Sequence, residues 1–370
     1  MTQAFTVRRG TRRLLMGGMA AIAGTAVGMR LPGRATAQAA LAPWPTRRWT
    51  VDDPANQGVD ALALEAVHER APLEVPAISA LLAVRNGYLI FERYYGGLEP
   101  DVPINVRSVT KSVTSTLAGV ALRTGLLTGL ATRTADVIPD RIPAGADPLV
   151  EEVTLWQWMT MTSALQWDAS GDWQRLLAAP DWVAMTLGLP VTGIPGETYV
   201  YNTGGSHVLG VIVAAAAGKP LEDYAQDVLF APLGITPGEW MRSPQDEVSA
   251  GSGLEMSPRD MAKLGYLYLR GGEWDGQQIV APEFASQATT WQSAGDATGG
   301  WAAYGYQWWV TATNAGYPAY FALGYGGQHI FVVRALDLVV IAGIERRVDP
   351  SELRTPRYLI ESIAAACVPQ

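Results

Sequence analysis

Two short apolar stretches, residues 78–84 and 88–94, are separated by Arg85-Asn86-Gly87. Asn-Gly favours a turn in which both central residues adopt positive φ, so this segment predicts a β-hairpin. A weaker helical pattern precedes it at residues 61–70, after an irregular stretch punctuated by Pro43, Pro45 and Pro54. Beyond the hairpin, Val109, Val113, Leu117 and Val120 recur at helical spacing and predict a helix over 108–124, closed by Gly125.

Residues 128–240 read as short helices and Pro/Gly-rich loops without a convincing strand. Helices are expected at 207–217 and 221–229, the second halted by Pro232. Ser257-Pro258-Arg259-Asp260 reads as a helix start, with serine as cap and proline in the first turn. Strand patterns return at 305–311, 328–333 and 336–344, and a last helix is expected over 351–366. No internal repeat is evident. The order predicts an α+β fold, an antiparallel β-sheet flanked by helices with an inserted, mostly helical lobe. The sheet lobe would comprise about 60–125 and 250–370, and the helical lobe about 126–249.

The N-terminus follows a different pattern. Thr11-Arg12-Arg13-Leu14-Leu15-Met16 is a twin-arginine motif, followed by a mildly apolar run and by Ala35-Thr36-Ala37 as a small-residue cleavage site. Residues 1–37 are therefore read as a twin-arginine signal peptide. The expectation is export to the periplasm or medium, with no stable membrane anchor after cleavage. Those residues hold six arginines and no acid, so their removal leaves 21 basic against 35 acidic residues, a formal charge of −14. An acidic chain without a basic stripe repels polyanions, which argues against nucleic-acid partners. Cys367, the one cysteine, excludes an internal disulfide framework. The three histidines, His68, His207 and His329, lack metal-ligand spacing and a G-x-S-x-G elbow, so neither zinc nor a Ser-His-Asp triad is expected. No metal or cofactor is implied.

Ser108-Val109-Thr110-Lys111 carries the candidate chemistry. On a helix, positions three apart share a face, so the Lys111 amine can reach the Ser108 hydroxyl. Serine needs a neighbour to take its proton, and lysine can do so when burial lowers its pKa. The chain holds three lysines against many arginines, and arginine would not surrender its proton at this position. A second element, Pro195 through Gly205, contains Tyr199 and Tyr201, either of which could relay protons beside the pair. A third, Gly324-Tyr325-Gly326-Gly327-Gln328, leads into a strand and could offer a backbone N–H to an oxyanion. The tryptophans at 156, 158, 167, 173 and 182 read mostly as core. The polar loop Gln166 to Trp173, with Trp167, Asp168 and Trp173, could instead close over substrate.

Together these elements resemble the serine β-lactamase and penicillin-binding-protein hydrolases. The match is to the class C-like branch with its esterases and 6-aminohexanoate-dimer hydrolases. The similarity covers about residues 75–345. It includes Thr160-Met161-Thr162-Ser163, Tyr201-Asn202-Thr203-Gly204-Gly205-Ser206-His207 and Ser257-Pro258-Arg259-Asp260-Met261-Ala262. The resemblance implies an acylated Ser108, proton transfer by Lys111 and Tyr201, and an oxyanion hole from the N–H groups of Ser108 and Gln328. Gly327, Tyr325, Thr203 and Asn202 would line the substrate site. Two positions depart from the family pattern. Tyr201-Asn202-Thr203 places threonine where Tyr-x-Asn has its amide, and Tyr325-Gly326-Gly327 lacks the cation of a Lys-Thr-Gly or His-x-Gly strand. A hydrolase of a small amide or ester is therefore expected. A non-catalytic or penicillin-binding sensor, or a DD-peptidase or β-lactamase, is the alternative on the same scaffold.

Overall fold

The computed structural model describes residues 43–168, 171–295, 303–344 and 355–369. The twin-arginine segment lies outside them, as do residues 351–354 of the expected last helix and residues 169–170 of the polar loop. No helix among the described residues is long and apolar enough to cross a membrane.

Helices of ten residues or more and the strands of the main sheet are labelled here. They are α1 (Ala61–Glu74), β1 (Ile78–Arg85), β2 (Tyr88–Tyr94), α2 (Val109–Arg123) and α3 (Thr203–Ala217), then α4 (Pro258–Leu269), β3 (Trp309–Ala312), β4 (Pro318–Gly324), β5 (Gln328–Val333), β6 (Leu338–Ile344) and α5 (Arg357–Ala366). Asn86 and Gly87 have φ of 51° and 83°, so the hairpin turn forms as its two residues predict. The sheet order is β2-β1-β6-β5-β4-β3, and neighbouring strands are antiparallel. β1 pairs with β6 in the register Leu82↔Ile341, so the two ends of the chain meet inside one sheet.

Both faces of that sheet are covered, which is why its strands read as apolar runs rather than clean alternations. Ala80, Leu82 and Val84 of β1 pack with Val109, Val113, Leu264 and Leu267 from α2 and α4. Leu81 and Ala83 pack on the other face with Leu64, Val67, Leu359 and Ile363 from α1 and α5. Between the two parts of the sheet, the chain builds a lobe of short helices around Trp158, Val183, Leu187 and α3.

Every residue of α2 from Val109 to Ala121 is buried, which helical periodicity alone does not predict. The polar side of this helix carries small hydroxyls that find acceptors inside the fold. Ser112 Oγ donates to the Gln307 carbonyl at 2.6 Å and Thr114 Oγ1 to the Ala250 carbonyl at 2.7 Å. α4 forms as its start signal predicts, with the Ser257 hydroxyl accepting from the Asp260 N–H at 3.1 Å.

Four departures from expectation have a clear local cause. β4 is a strand that the residue pattern hides: it opens on proline, contains two alanines and ends on glycine, all poor β-formers. β3 starts at Trp309 rather than residue 305, because Gln307 has φ of 58° and turns the chain there. α3 begins at Thr203, capped by Asn202. Pro232 does not halt the helix that begins at Leu221. A π turn at Gln226–Phe230 absorbs the missing N–H, and the chain remains helical to Leu233, where Gly234 at φ 64° ends it.

Candidate active site

Asn105 Oδ1 accepts the Arg107 N–H at 2.9 Å, and Arg107 itself sits at φ 54°. A non-glycine residue in this region stores about 1–3 kcal/mol of strain, held by the surrounding structure. The kink turns the chain into α2 with Ser108 at its mouth. The Ser108 N–H has no acceptor among the described residues, since the turn bonds there are made by Val109, Thr110 and Lys111.

Lys111 is 1% exposed, and its Nζ lies 3.0 Å from Ser108 Oγ, 3.1 Å from Thr203 Oγ1 and 2.7 Å from the Gly251 carbonyl. Burial pulls its pKa down from the usual lysine range to about 7. A neutral amine has two hydrogens and one lone pair. Donation to Gly251 and Thr203 uses both hydrogens and turns the lone pair toward the Ser108 hydroxyl. Thr203 thus stands on the lysine itself, at the position where a Tyr-x-Asn motif carries its amide. Gly251 was not singled out from sequence. Its need for glycine follows from contact, because a Cβ there would lie 2.6 Å from the Thr203 carbonyl oxygen. Its only sequence trace is the small-residue run Ala250-Gly251-Ser252-Gly253.

Tyr201 lies with its ring centroid 4.9 Å from Lys111 Nζ and stacks on Trp309 at 5.8 Å and 24°. Burial raises its pKa to about 12, and a hydrogen bond with Ser108 opposes part of that rise. The phenol therefore keeps its proton at neutral pH, and the free base of the trio is the Lys111 amine. Tyr199 packs edge-on against Tyr304 at 5.6 Å and does not line the cavity.

A cavity of about 460 Å3 opens in front of Ser108 and Tyr201. The turn from Gly324 to Gly327 forms one side of it, with Tyr325 64% exposed. A Cβ on Gly324 would strike the Val106 carbonyl, so glycine is what lets β4 approach the start of α2. Gly327 N–H donates to the Gly324 carbonyl at 3.1 Å, whereas the Tyr325 N–H has no acceptor among the described residues. Among the described residues, the open backbone donors beside the cavity are thus those of Ser108, Tyr325 and Gly326. Gln328 is the residue whose N–H is expected to supply the second donor. It does not line the cavity, and its side chain is locked to the β6 end, donating to the Ile344 carbonyl and accepting the Ile344 N–H at 2.8 Å. Gly324→Ala is expected to lower kcat/KM about 100-fold with an unchanged circular-dichroism spectrum, since a shift of about 1 Å at the donors costs that much.

The remaining candidates lie elsewhere. Asn202 is buried as the cap of α3, its Oδ1 accepting the Gly205 N–H at 2.8 Å. Neither Trp167, Asp168 nor Trp173 lines the cavity. Trp167 packs against the core beside Gly204, and the Asp168 N–H donates to Asp172 Oδ2 at 2.7 Å at the foot of a short helix. Trp158 is core, as expected, with its Nε1 on Thr134 Oγ1 at 3.0 Å. His68 bonds the Tyr95 hydroxyl at 3.0 Å and His207 packs on the Trp182 ring. Burial raises the Cys367 thiol to about 11. Among the described residues no group of histidine, cysteine and carboxylate side chains is placed to hold a metal.

A helix-borne Ser/Lys pair and a tyrosine, beside the end of an antiparallel sheet made from both chain ends, is the frame on which a family comparison bears. The sequence profile of the beta-lactamase family matches residues 68–365. The chain belongs to the beta-lactamase family. No curated protein matches it. Solved structures with the same fold include a Bacillus anthracis protein assigned as a 6-aminohexanoate-dimer hydrolase, 22% identical over 81% of each chain with a TM-score of 0.68. EstCE1, a hydrolase with promiscuous acyltransferase activity, is 18% identical over 85% of this chain and 99% of its own, with a TM-score of 0.69. A class C beta lactamase from Rhodobacter sphaeroides is 18% identical over 82% of this chain and 99% of its own, with a TM-score of 0.60. In this beta-lactamase-family member no lysine, arginine, aspartate or glutamate among the described residues lines the cavity.

Proposed function

We propose that this protein is a serine hydrolase acting on a small ester or amide through an acyl-Ser108 intermediate. The single observation that carries the reading is the Lys111 amine, buried, with its pKa near 7 and 3.0 Å from an accessible serine hydroxyl. In this reading Ser108 Oγ bonds to the substrate carbonyl carbon while its proton passes to Lys111 Nζ. The carbonyl oxygen takes the electron pair and is held by the N–H groups of Ser108 and Tyr325. As the carbon–leaving-group bond breaks, Tyr201 protonates the departing atom, and the Lys111 ammonium restores the phenol. Water then attacks the acyl-serine, its proton leaving by the same groups, and the acid is released.

The lack of a cation among the described residues lining the cavity weighs against the reading as a DD-peptidase or β-lactamase, whose substrates carry a carboxylate. Export through the N-terminal twin-arginine segment belongs to the same proposal, with a small molecule as partner. The test is to treat the protein with a fluorophosphonate and locate the adduct by peptide mass spectrometry, alongside p-nitrophenyl acetate kinetics. Label on Ser108 with a burst equal to the enzyme concentration is expected. A labelled but non-turning-over protein would point to the sensor alternative, and no label at Ser108 would defeat the acyl-serine mechanism.

A further inference from the structure

The cavity has a wall that hydrolysis as such does not require. Trp309 of β3, Phe321 and Leu323 of β4 and His329 of β5 rise from one face of the sheet beside Tyr201. Their rings are nearly parallel: Tyr201 to Trp309 at 24°, Trp309 to Phe321 at 16° and Phe321 to His329 at 25°. The centroid separations are 5.8, 6.3 and 5.8 Å. This is an apolar slot lined by aromatic rings, and it starts at the nucleophile.

None of the described side chains lining the slot is charged at neutral pH. Burial drives the His329 pKa down to about 4, and its Nδ1 lies 2.8 Å from the Gly327 carbonyl, so the neutral ring donates there. Arg357 lies behind the wall, its guanidinium 5.5 Å from the Phe321 centroid and 4.5 Å from that of Phe331. It is paired with Glu361 at 2.6 Å, and both side chains are at most 12% exposed. A carboxylate entering the slot would lose its water and meet no available cation among the described residues. An aromatic ring would gain stacking contacts along its faces.

Position relative to Tyr201 decides which half of the substrate the slot receives. Tyr201 keeps its proton up to about pH 12 and forms the inner end of the slot beside Ser108. The atom that needs a proton when the tetrahedral adduct collapses is the leaving one. Resting on the acyl-serine reading, we propose that the slot binds an uncharged aromatic leaving group, so that the substrate class is an ester or amide of an aromatic alcohol or amine. Attack forms the Ser108 Oγ–carbonyl bond. Collapse breaks the bond to the aromatic alcohol or amine, which departs with the Tyr201 proton, and water later cleaves the acyl-serine.

The full chain should be assayed with 2-naphthyl acetate and 4-carboxyphenyl acetate, whose phenols are similar in acidity, each rate divided by that of alkaline hydrolysis. The naphthyl ester is expected to show at least about 100-fold higher kcat/KM, the size of discrimination that an unpaired buried charge produces. Trp309→Ala should shrink that ratio mainly through KM. Because Trp309 also supports Tyr201, the half-buried Leu323 supplies an independent variant. Leu323→Arg should raise kcat/KM for the carboxyphenyl ester at least about tenfold and lower it for the naphthyl ester. Equal wild-type values for the two esters, or a preference that follows acyl chain length and ignores the leaving ring, would overturn the proposal while fluorophosphonate labelling of Ser108 left the hydrolase reading standing. Absence of both labelling and ester turnover would remove that reading and the proposal with it.

Discussion

Ser108→Ala is expected to reduce ester turnover at least about 10,000-fold, because without the hydroxyl no acyl-enzyme can form and only the oxyanion donors and the cavity remain. The fold should tolerate the change. Ser108 makes no capping bond with its side chain, and its Oγ bonds within the fold are those to Lys111 and Tyr201. The melting temperature should therefore move by no more than about 2 °C, as for substitutions outside the packed core. Fluorophosphonate labelling must vanish in parallel. Turnover by this variant at more than a few per cent of the wild-type rate, in material free of contaminating esterase, would contradict the assignment of the nucleophile.

Local chemistry made part of this molecule readable in advance. The Asn86-Gly87 turn, the Ser257-Pro258 helix start and the three-residue spacing of Ser108 and Lys111 each depend on neighbours a few residues apart, and each forms as that logic requires. What escaped reading depends on contacts between distant segments. β4 is a strand because β3 and β5 flank it on both edges, not because its own residues favour extension. That the Tyr325 and Gly326 N–H groups open beside the cavity is a matter of where the β4–β5 turn meets the start of α2 at Val106. Gly251 accepts from the lysine through its backbone, so its side-chain identity carries almost no signal. Trp309 and Phe321 have the composition of core residues, and only the gap between them and Ser108 makes them a wall.

The pH dependence should report Lys111 directly. With a native pKa near 7, the neutral fraction of this amine climbs from about a tenth at pH 6 to about nine-tenths at pH 8, and kcat/KM should rise about tenfold over that interval. No falling limb is expected below pH 10, because Tyr201 holds its proton to about pH 12. The same shift has a stability counterpart of fixed sign. In the unfolded chain the lysine titrates at its ordinary value, 10.5, so between pH 7 and 10.5 the unfolded state binds the extra proton and native stability rises with pH. Lys111→Gln retains a donor for the Gly251 carbonyl but supplies no base, and should lose at least about 1,000-fold in turnover while still folding. Its stability should lack the Lys111 contribution to the rise between pH 7 and 10. Lys111→Arg, which stays charged throughout, should be equally inactive at every pH. Activity in the glutamine variant that still climbs through pH 7 would show that another group governs the rate, and the buried amine would then be structural.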